Sequence, residues 1–195
     1  MKKEERNKAI AIPISNTADG KPPRFLTVKD RRYQEWTFVT GGCRKKEIIN
    51  PLRCALRELE EETRGAVNLK SGTFRYFNFI FHSPISNTDG DKETPKFIDI
   101  TYHVYIIDFN VNKYEQIRLI NKFNDAKAKL EHLKRQNFPI KLVYDENDVM
   151  NFETLTEFSS KDRVWDLIRE NILDNPEFHK ALNTQNRKNF NLNVF

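Results

Sequence analysis

Two adjacent glycines, Gly41 and Gly42, stand between an apolar run, Trp36-Thr37-Phe38-Val39, and a segment ending in dense carboxylates, Arg57-Glu58-Leu59-Glu60-Glu61-Glu62. The order predicts a strand, a tight turn and a helix. Asn50 reads as the N-cap and Pro51 as the first helical residue, because Asn accepts from an orphan N–H and Pro loses nothing there. Leu52, Ala55, Leu56 and Leu59, extended by Thr63, recur at spacings of three and four and form one apolar stripe. At about 100° per residue, Glu58, Glu61 and Glu62 fall on a neighbouring arc. Arg57 borders that arc, and Glu60 points to the far side. The helix therefore docks by its stripe on a core while three carboxylates converge beside the glycine turn.

Such convergence is costly. Like charges three and four residues apart destabilise a helix by a few tenths of about 1 kcal/mol per pair, and the macrodipole disfavours anions in the C-terminal half. A cation among the acids relieves both penalties. Oxygen-only donors favour Mg²⁺ or Mn²⁺ over Zn²⁺. A solvated acidic face is the competing reading of the helix alone. The glycine turn and Arg57 favour a site where a divalent cation holds a diphosphate.

The segment closely resembles the Nudix box, G-x5-E-x7-R-E-U-x-E-E-x-G-U, where U is aliphatic. Arg57 to Glu62 match its second half without a gap, and Gly41 followed by Glu47 matches its first half. Two departures stand out. Nine residues separate Glu47 from Arg57 where the family has seven, so either the turn carries an insertion or Glu47 is not the equivalent acid; counting back from Arg57 gives Ile49. The last glycine of the pattern falls on Arg64, and Gly65 follows one position late, which predicts a slightly longer helix closed by an αL cap.

The resemblance implies an α/β fold, a Nudix-type α/β/α sandwich with a mixed sheet. It implies Mg²⁺ (or Mn²⁺) bound by Glu58, Glu61 and Glu62 with the Gly41 carbonyl, Arg57 orienting a helix carboxylate, and Glu58 as a base. In many members a basic residue early in the chain meets a substrate phosphate, which singles out Arg24, Lys29 and Arg31. Some members take a base from a late loop, and Glu146, between Asp145 and Asp148, is the residue expected there. The implied activity is hydrolysis of the pyrophosphate bond of a nucleoside diphosphate linked to another moiety, with the mRNA cap as a narrower substrate. Small free nucleotides, dinucleoside polyphosphates and inositol pyrophosphates are alternatives. A non-catalytic domain that binds nucleotide or RNA is a different class, and a scaffold docking another protein through a long helix is a third.

With 195 residues the chain fits one domain, read as 1–182, and 38% hydrophobic residues including 15 Phe can fill its core. No stretch approaches a membrane span, and the start MKKEERNK has no apolar signal region, so a cytoplasmic protein is expected. Cys43 and Cys54 are too few for a disulfide framework. The net charge of +5 suits a polyphosphate or RNA partner, and equally a lysine-rich surface.

Ala9 to Ile14 and Arg24 to Lys29 read as strands flanking a turn at Asp19 to Pro23. Thr73 to His82 and Phe97 to Phe109 read as a long antiparallel pair around a polar loop at Ser83 to Pro95. Trp36, Phe79 and Tyr102 are core aromatics or, less favoured, platforms for a base. Apolar residues from Tyr114 to Leu133 predict a helix over 112–137, an insertion carrying Lys122, Lys127, Lys129 and Lys134. Leu142 to Tyr144 and Val149 to Phe152 read as short strands. Ser160 to Ile172 reads as a closing amphipathic helix, and the Asn-rich residues 183–195 as a loose tail.

Overall fold

A computed structural model describes residues 6–16, 20–84 and 97–193 of the chain. Strand β1 (Arg6–Ser15) is the central element. Ala9 and Ala11 face one layer while Ile10, Ile12 and Ile14 face the other, and all five are buried. This is the unbroken apolar run of a strand covered on both faces. β1 runs parallel to β6 (Phe97–Asp108) along its whole length. Its other edge pairs antiparallel with β4 (Val39–Gly42) at Lys8 to Ala11, and with β2 (Arg24–Asp30) at Ile14 and Ser15. β5 (Ser71–Pro84) pairs antiparallel with β6, β3 (Trp36–Thr37) with β2, and β7 (Asn147–Glu153) with the other edge of β2.

Helices cover both faces of this mixed sheet, giving the expected α/β/α sandwich. On the alanine face, α1 (Pro51–Glu62) packs Leu52, Ala55, Leu56 and Leu59 over Ala9 and Ala11. Small side chains there let the helix backbone come close. Asn50 stands at the N-cap, but its side chain makes no capping bond. The long helix α2 (Lys113–Arg135) starts from a capping box formed by Asn112 and Glu115 and inserts Phe123 into the same layer. On the isoleucine face lie α3 (Leu155–Ser159), α4 (Asp166–Ile168) and α5 (Pro176–Asn183), contributing Phe158, Leu167, Ile168 and Phe178. Among the described residues, no helix is long and apolar enough to cross a membrane.

Four local expectations need correction. Leu142–Tyr144 is a 3-10 turn, closed by bonds from Tyr144 N to Lys141 O and from Asp145 N to Leu142 O; Leu142 is exposed and has no strand beside it. The closing helix is broken. The chain leaves α3 after Ser159, and Val164 bridges to Trp36. Trp36 N donates to Arg163 O, and Trp165 N donates to Trp36 O. These sheet-like bonds take the backbone groups a continuous helix would need. The chain then runs through α4 into a π-helical turn, Arg169–Leu173. Most of the loop expected at Ser83 to Pro95 lies outside the described residues, as does Asp19, while Ser83 and Pro84 belong to β5.

The tail is the fourth correction. Residues Lys188–Asn191 form β8, antiparallel to Ser71–Phe74 of β5. The Phe190 ring lies 6.2 Å from that of Phe74, and a Cβ added at Gly72 would come within 3.1 Å of it. Phe190 and Leu192, both packed against the core among asparagines, pin the segment. Phe190→Ala is expected to cost about 1–3 kcal/mol and to lower Tm by about 2–10 °C. A melting curve matching that of the wild type would mean that the tail contributes nothing to the fold.

Candidate functional site

Docking of the α1 stripe fixes the direction of its acids. The Glu58 carboxylate lies directly on the Gly41 backbone, so a Cβ at Gly41 would overlap it. One turn on, Glu62 is buried: Thr40 N donates to its Oε1 at 3.2 Å, and Asn147 Nδ2 donates to its Oε2 at 2.9 Å. Glu60 points away, as expected, and accepts from Asn68 at 2.7 Å.

Arg57 ties the turn to the helix. Its Nε and one Nη donate to the two oxygens of Glu47 at 2.8 and 2.9 Å, a bidentate pair. The other Nη donates to Glu58 at 2.7 Å and to Glu61 at 2.8 Å. A further bond reaches Gly42 O at 2.9 Å. Glu61 also meets Arg44 at 3.2 Å, on the rim. The open question of spacing has a direct answer in this geometry. Glu47, not Ile49, meets Arg57, and Ile49 is 92% exposed. The extra residues are absorbed by a 3-10 turn, Lys45–Glu47, and by the bond from Asn50 N to Glu47 O. Burial alone raises the Glu47 carboxyl, but the bonds from Arg57 and the Arg44 N–H outweigh it and hold the group below the usual carboxylate range.

The end of α1 differs from the sequence expectation. The helix stops at Glu62 and is not lengthened. Gly65 N donates to Glu60 O and Arg64 N to Glu61 O, the two bonds of a Schellman motif. Arg64 occupies the left-handed position that glycine normally takes, at φ +53°. An L side chain there costs about 1–2 kcal/mol.

Facing α1 is the late acidic loop. Asp145 pairs with Lys134 and, at 2.7 Å, with Arg31; Asp148 pairs with Arg31 at 2.8 Å and Lys127 at 3.4 Å. Glu131 on α2 reaches Arg31 at 3.3 Å. Burial raises the Asp148 carboxyl, but Gln34, Arg31 and Lys127 together lower it to about 2. Glu146 lines a neighbouring cleft, with its carbonyl accepting from Arg31 N at 2.8 Å.

Glu62, Glu146 and Asn147 line a 440 Å³ cleft together with Lys8, Tyr33, Glu35 and Trp165. The sequence reading missed Lys8, Tyr33 and Trp165. Only one cue pointed to Lys8: a cation directly preceding the apolar run of β1, which the fold places in register with Gly42. Arg24, Lys29 and Arg31 do not line this cleft. Arg24 donates to Phe152 O at 3.1 Å and pairs with Glu157, while Arg31 is held by three acids. The three aromatics singled out are also elsewhere: Phe79 stacks on buried Tyr102 with centroids 5.0 Å apart, and Lys161 covers Trp36 at 3.6 Å.

The electrostatics set this cleft apart. Burial pushes the Glu58 carboxyl up even against Arg57. Burial raises Glu62 well above the usual carboxylate range; the Asn147 bond opposes the rise, and Glu58 and Glu146 add to it. Glu146 is raised by burial and by Glu61 and Asp30. Burial lowers Lys8, with Arg6 adding to the shift and Glu58 opposing it. Buried carboxylates that repel one another call for a cation. The donors here are all hard oxygens, which fit Mg²⁺ or Mn²⁺. Among the described residues, no three acidic, His or Cys side chains already form a closed cage. Arg57 holds Glu58 and Glu61.

The NUDIX domain model matches residues 5–136, which include the whole glycine turn and acidic helix. The chain belongs to the Nudix family. Similar solved structures include the Nudix domain of Shewanella oneidensis NrtR complexed with ADP ribose, at 11% identity and TM-score 0.46, covering 93% of this chain and 90% of that one. The C. elegans Ap4A hydrolase is 14% identical at TM-score 0.41, with 91% and 92% covered. A MutT/Nudix family protein from Listeria innocua is 14% identical at TM-score 0.41, with 85% and 87% covered. No curated protein matches. Nudix proteins that act as enzymes are in general pyrophosphohydrolases using Mg²⁺ or Mn²⁺.

In this Nudix domain the contact between Gly41 and Glu58 generates a prediction. Gly41→Ala is expected to displace the Glu58 carboxylate and to lower metal-dependent turnover by about 10–100-fold. Gly42→Ala, whose Cβ meets nothing within 4 Å, is the milder change. Equal rates for the two variants, measured at saturating Mg²⁺, would remove Glu58 from the site.

Proposed function

We propose that this Nudix domain is a Mg²⁺- or Mn²⁺-dependent hydrolase that cleaves the pyrophosphate bond of a nucleoside diphosphate linked to another moiety. The observation that carries this reading is the juxtaposition in one place of Glu58, Glu62 and Glu146 with a cleft that also offers Lys8 and two aromatic faces. Glu58, Glu62 and the Gly41 carbonyl would hold the cation, with Glu61 at the rim. When bound, the cation neutralises a diphosphate and acidifies a bound water.

Arg57 favours the charged form of Glu58 and holds its carboxylate beside Gly41. Glu47 has no substrate contact in this reading; it orients Arg57. Glu58 was the expected base, but one of its oxygens is taken by Arg57, which suits a ligand better. Glu146, which lines the same cleft and has a raised carboxyl, is better placed to accept a proton from the attacking water. Lys8 takes the phosphate-binding role first assigned to Arg24, Lys29 and Arg31. Tyr33 and Trp165 offer apolar faces to a base.

Capped RNA is the narrower substrate. Two of the five α2 lysines, Lys127 and Lys134, are engaged with the acidic loop, so the linked moiety is better read as a small one. The test is product analysis with and without Mg²⁺ on nucleotide sugars, dinucleoside polyphosphates, nucleoside triphosphates, inositol pyrophosphates and capped RNA. Metal-dependent release of a nucleoside monophosphate or diphosphate from a small substrate is the expected result, with Glu62→Gln and Glu146→Gln each losing at least about 100-fold in kcat. Methylated guanosine diphosphate from RNA alone would establish decapping instead. No product from any of them would leave a nucleotide-binding module.

A further inference from the structure

Arg64 stands where the Nudix pattern has glycine, and it adopts the glycine's left-handed backbone at φ +53°. A side chain kept at such a position against its conformational preference needs a use. The Arg64 guanidinium is almost wholly enclosed, with a side-chain exposure of 1%. It lies 4.4 Å over the ring of Phe123, the fully buried anchor of α2. One Nη donates to Asn147 O at 2.6 Å, and Asp145 lies 3.8 Å away. Its Nε and other Nη have no hydrogen-bond partner. The group is therefore held by one carbonyl, one ring face and a nearby carboxylate.

Asn147 carries the connection onward. Its backbone carbonyl takes the Arg64 bond, and its side-chain amide donates to the Glu62 carboxylate at 2.9 Å and to Glu62 O at 3.3 Å. Asn147 also directly follows Glu146. A short chain of contacts thus runs from α2 through Arg64 and Asn147 to the buried acid of α1 and to the neighbouring Glu146 of the same cleft.

We propose that Arg64 is a positioning residue, which through Asn147 sets the Glu62 carboxylate, and its separation from Glu146, for cation binding. This rests on the reading of Glu62 as a cation ligand given above. A glycine in its place would satisfy the helix end equally well but would leave the Asn147 side chain without the backbone anchor that Arg64 gives it. The inserted helix then has a role in the site, because it supplies the ring on which Arg64 rests.

Direct binding of Mn²⁺ to the purified protein, followed by its paramagnetic signal or by calorimetry, tests this without relying on turnover. Arg64→Gly and Asn147→Ala are each expected to weaken Mn²⁺ about 10–100-fold, with kcat falling in parallel and KM little changed. Asn147→Ala keeps the carbonyl that Arg64 uses and removes only the amide on Glu62. Phe190→Ala serves as a destabilised control and is expected to bind Mn²⁺ like the wild type. Arg64→Lys restores part of the affinity, since it keeps a donor but loses the planar stack. Wild-type Mn²⁺ affinity in a folded Arg64→Gly would overturn the proposal. If that variant does not fold, wild-type affinity in Asn147→Ala would overturn it equally. Glu62→Gln separates the two levels of the argument. Unchanged Mn²⁺ binding in that variant would overturn the ligand reading and the proposal together. Loss there with no loss in Arg64→Gly would overturn the proposal alone.

Discussion

The Arg57 guanidinium is the contact on which the site depends. It joins Glu47 in the turn, Glu58 and Glu61 on the helix, and the Gly42 carbonyl. Without it, three acids on one helix turn would repel one another beside an acid-bearing loop, and the turn would have no fixed relation to α1. Because the fork binds Glu47 through two parallel bonds, it fixes orientation as well as distance. A lysine could supply the charge but not that geometry. The cost of crowding carboxylates is thus met in part by one residue, and the remaining unbalanced charge, on Glu62 and Glu146, faces the cleft.

The second support is less expected. Helix α2 docks against the acidic loop through Lys134, Lys127, Glu131 and the shared partner Arg31. Surface ion pairs contribute little one at a time, but these share acceptors and are partly buried, so the loop they hold has one arrangement. Asp145 and Asp148 are consumed in that network. Glu146, lying between them, is left for the cleft. The basic character of the helix is therefore used within the fold as well as toward solvent.

Much of this was legible in the sequence for physical reasons. The α1 stripe was readable because its spacing and the Asn50-Pro51 start agree, and β1, β5 and β6 were readable from their β-branched and aromatic runs. The acids were readable because a helix at a known angle per residue places Glu58, Glu61 and Glu62 on one arc and Glu60 off it. What stayed hidden depends on distant partners. No local pattern says that Arg163 and Trp165 bond to Trp36 and so break the last helix, or that Phe190 finds Gly72. The partners of the phosphate-binding candidates were hidden for the same reason. Arg24 and Arg31 are conspicuous in the sequence but meet acids brought from far along the chain, whereas Lys8 reaches the cleft only because β1 pairs with β4. Arg64 was noted as a departure in spacing, and its partners Phe123 and Asn147 became visible only in three dimensions.

The central claim is that the buried acids of α1 hold a divalent cation at the glycine turn. Anomalous scattering from a crystal soaked in Mn²⁺ tests it most directly. The account predicts an ion bonded to Glu58, Glu62 and the Gly41 carbonyl, in the cleft that Glu146 also lines. An ion bound elsewhere, or none beside Glu62 at saturating Mn²⁺, would contradict it.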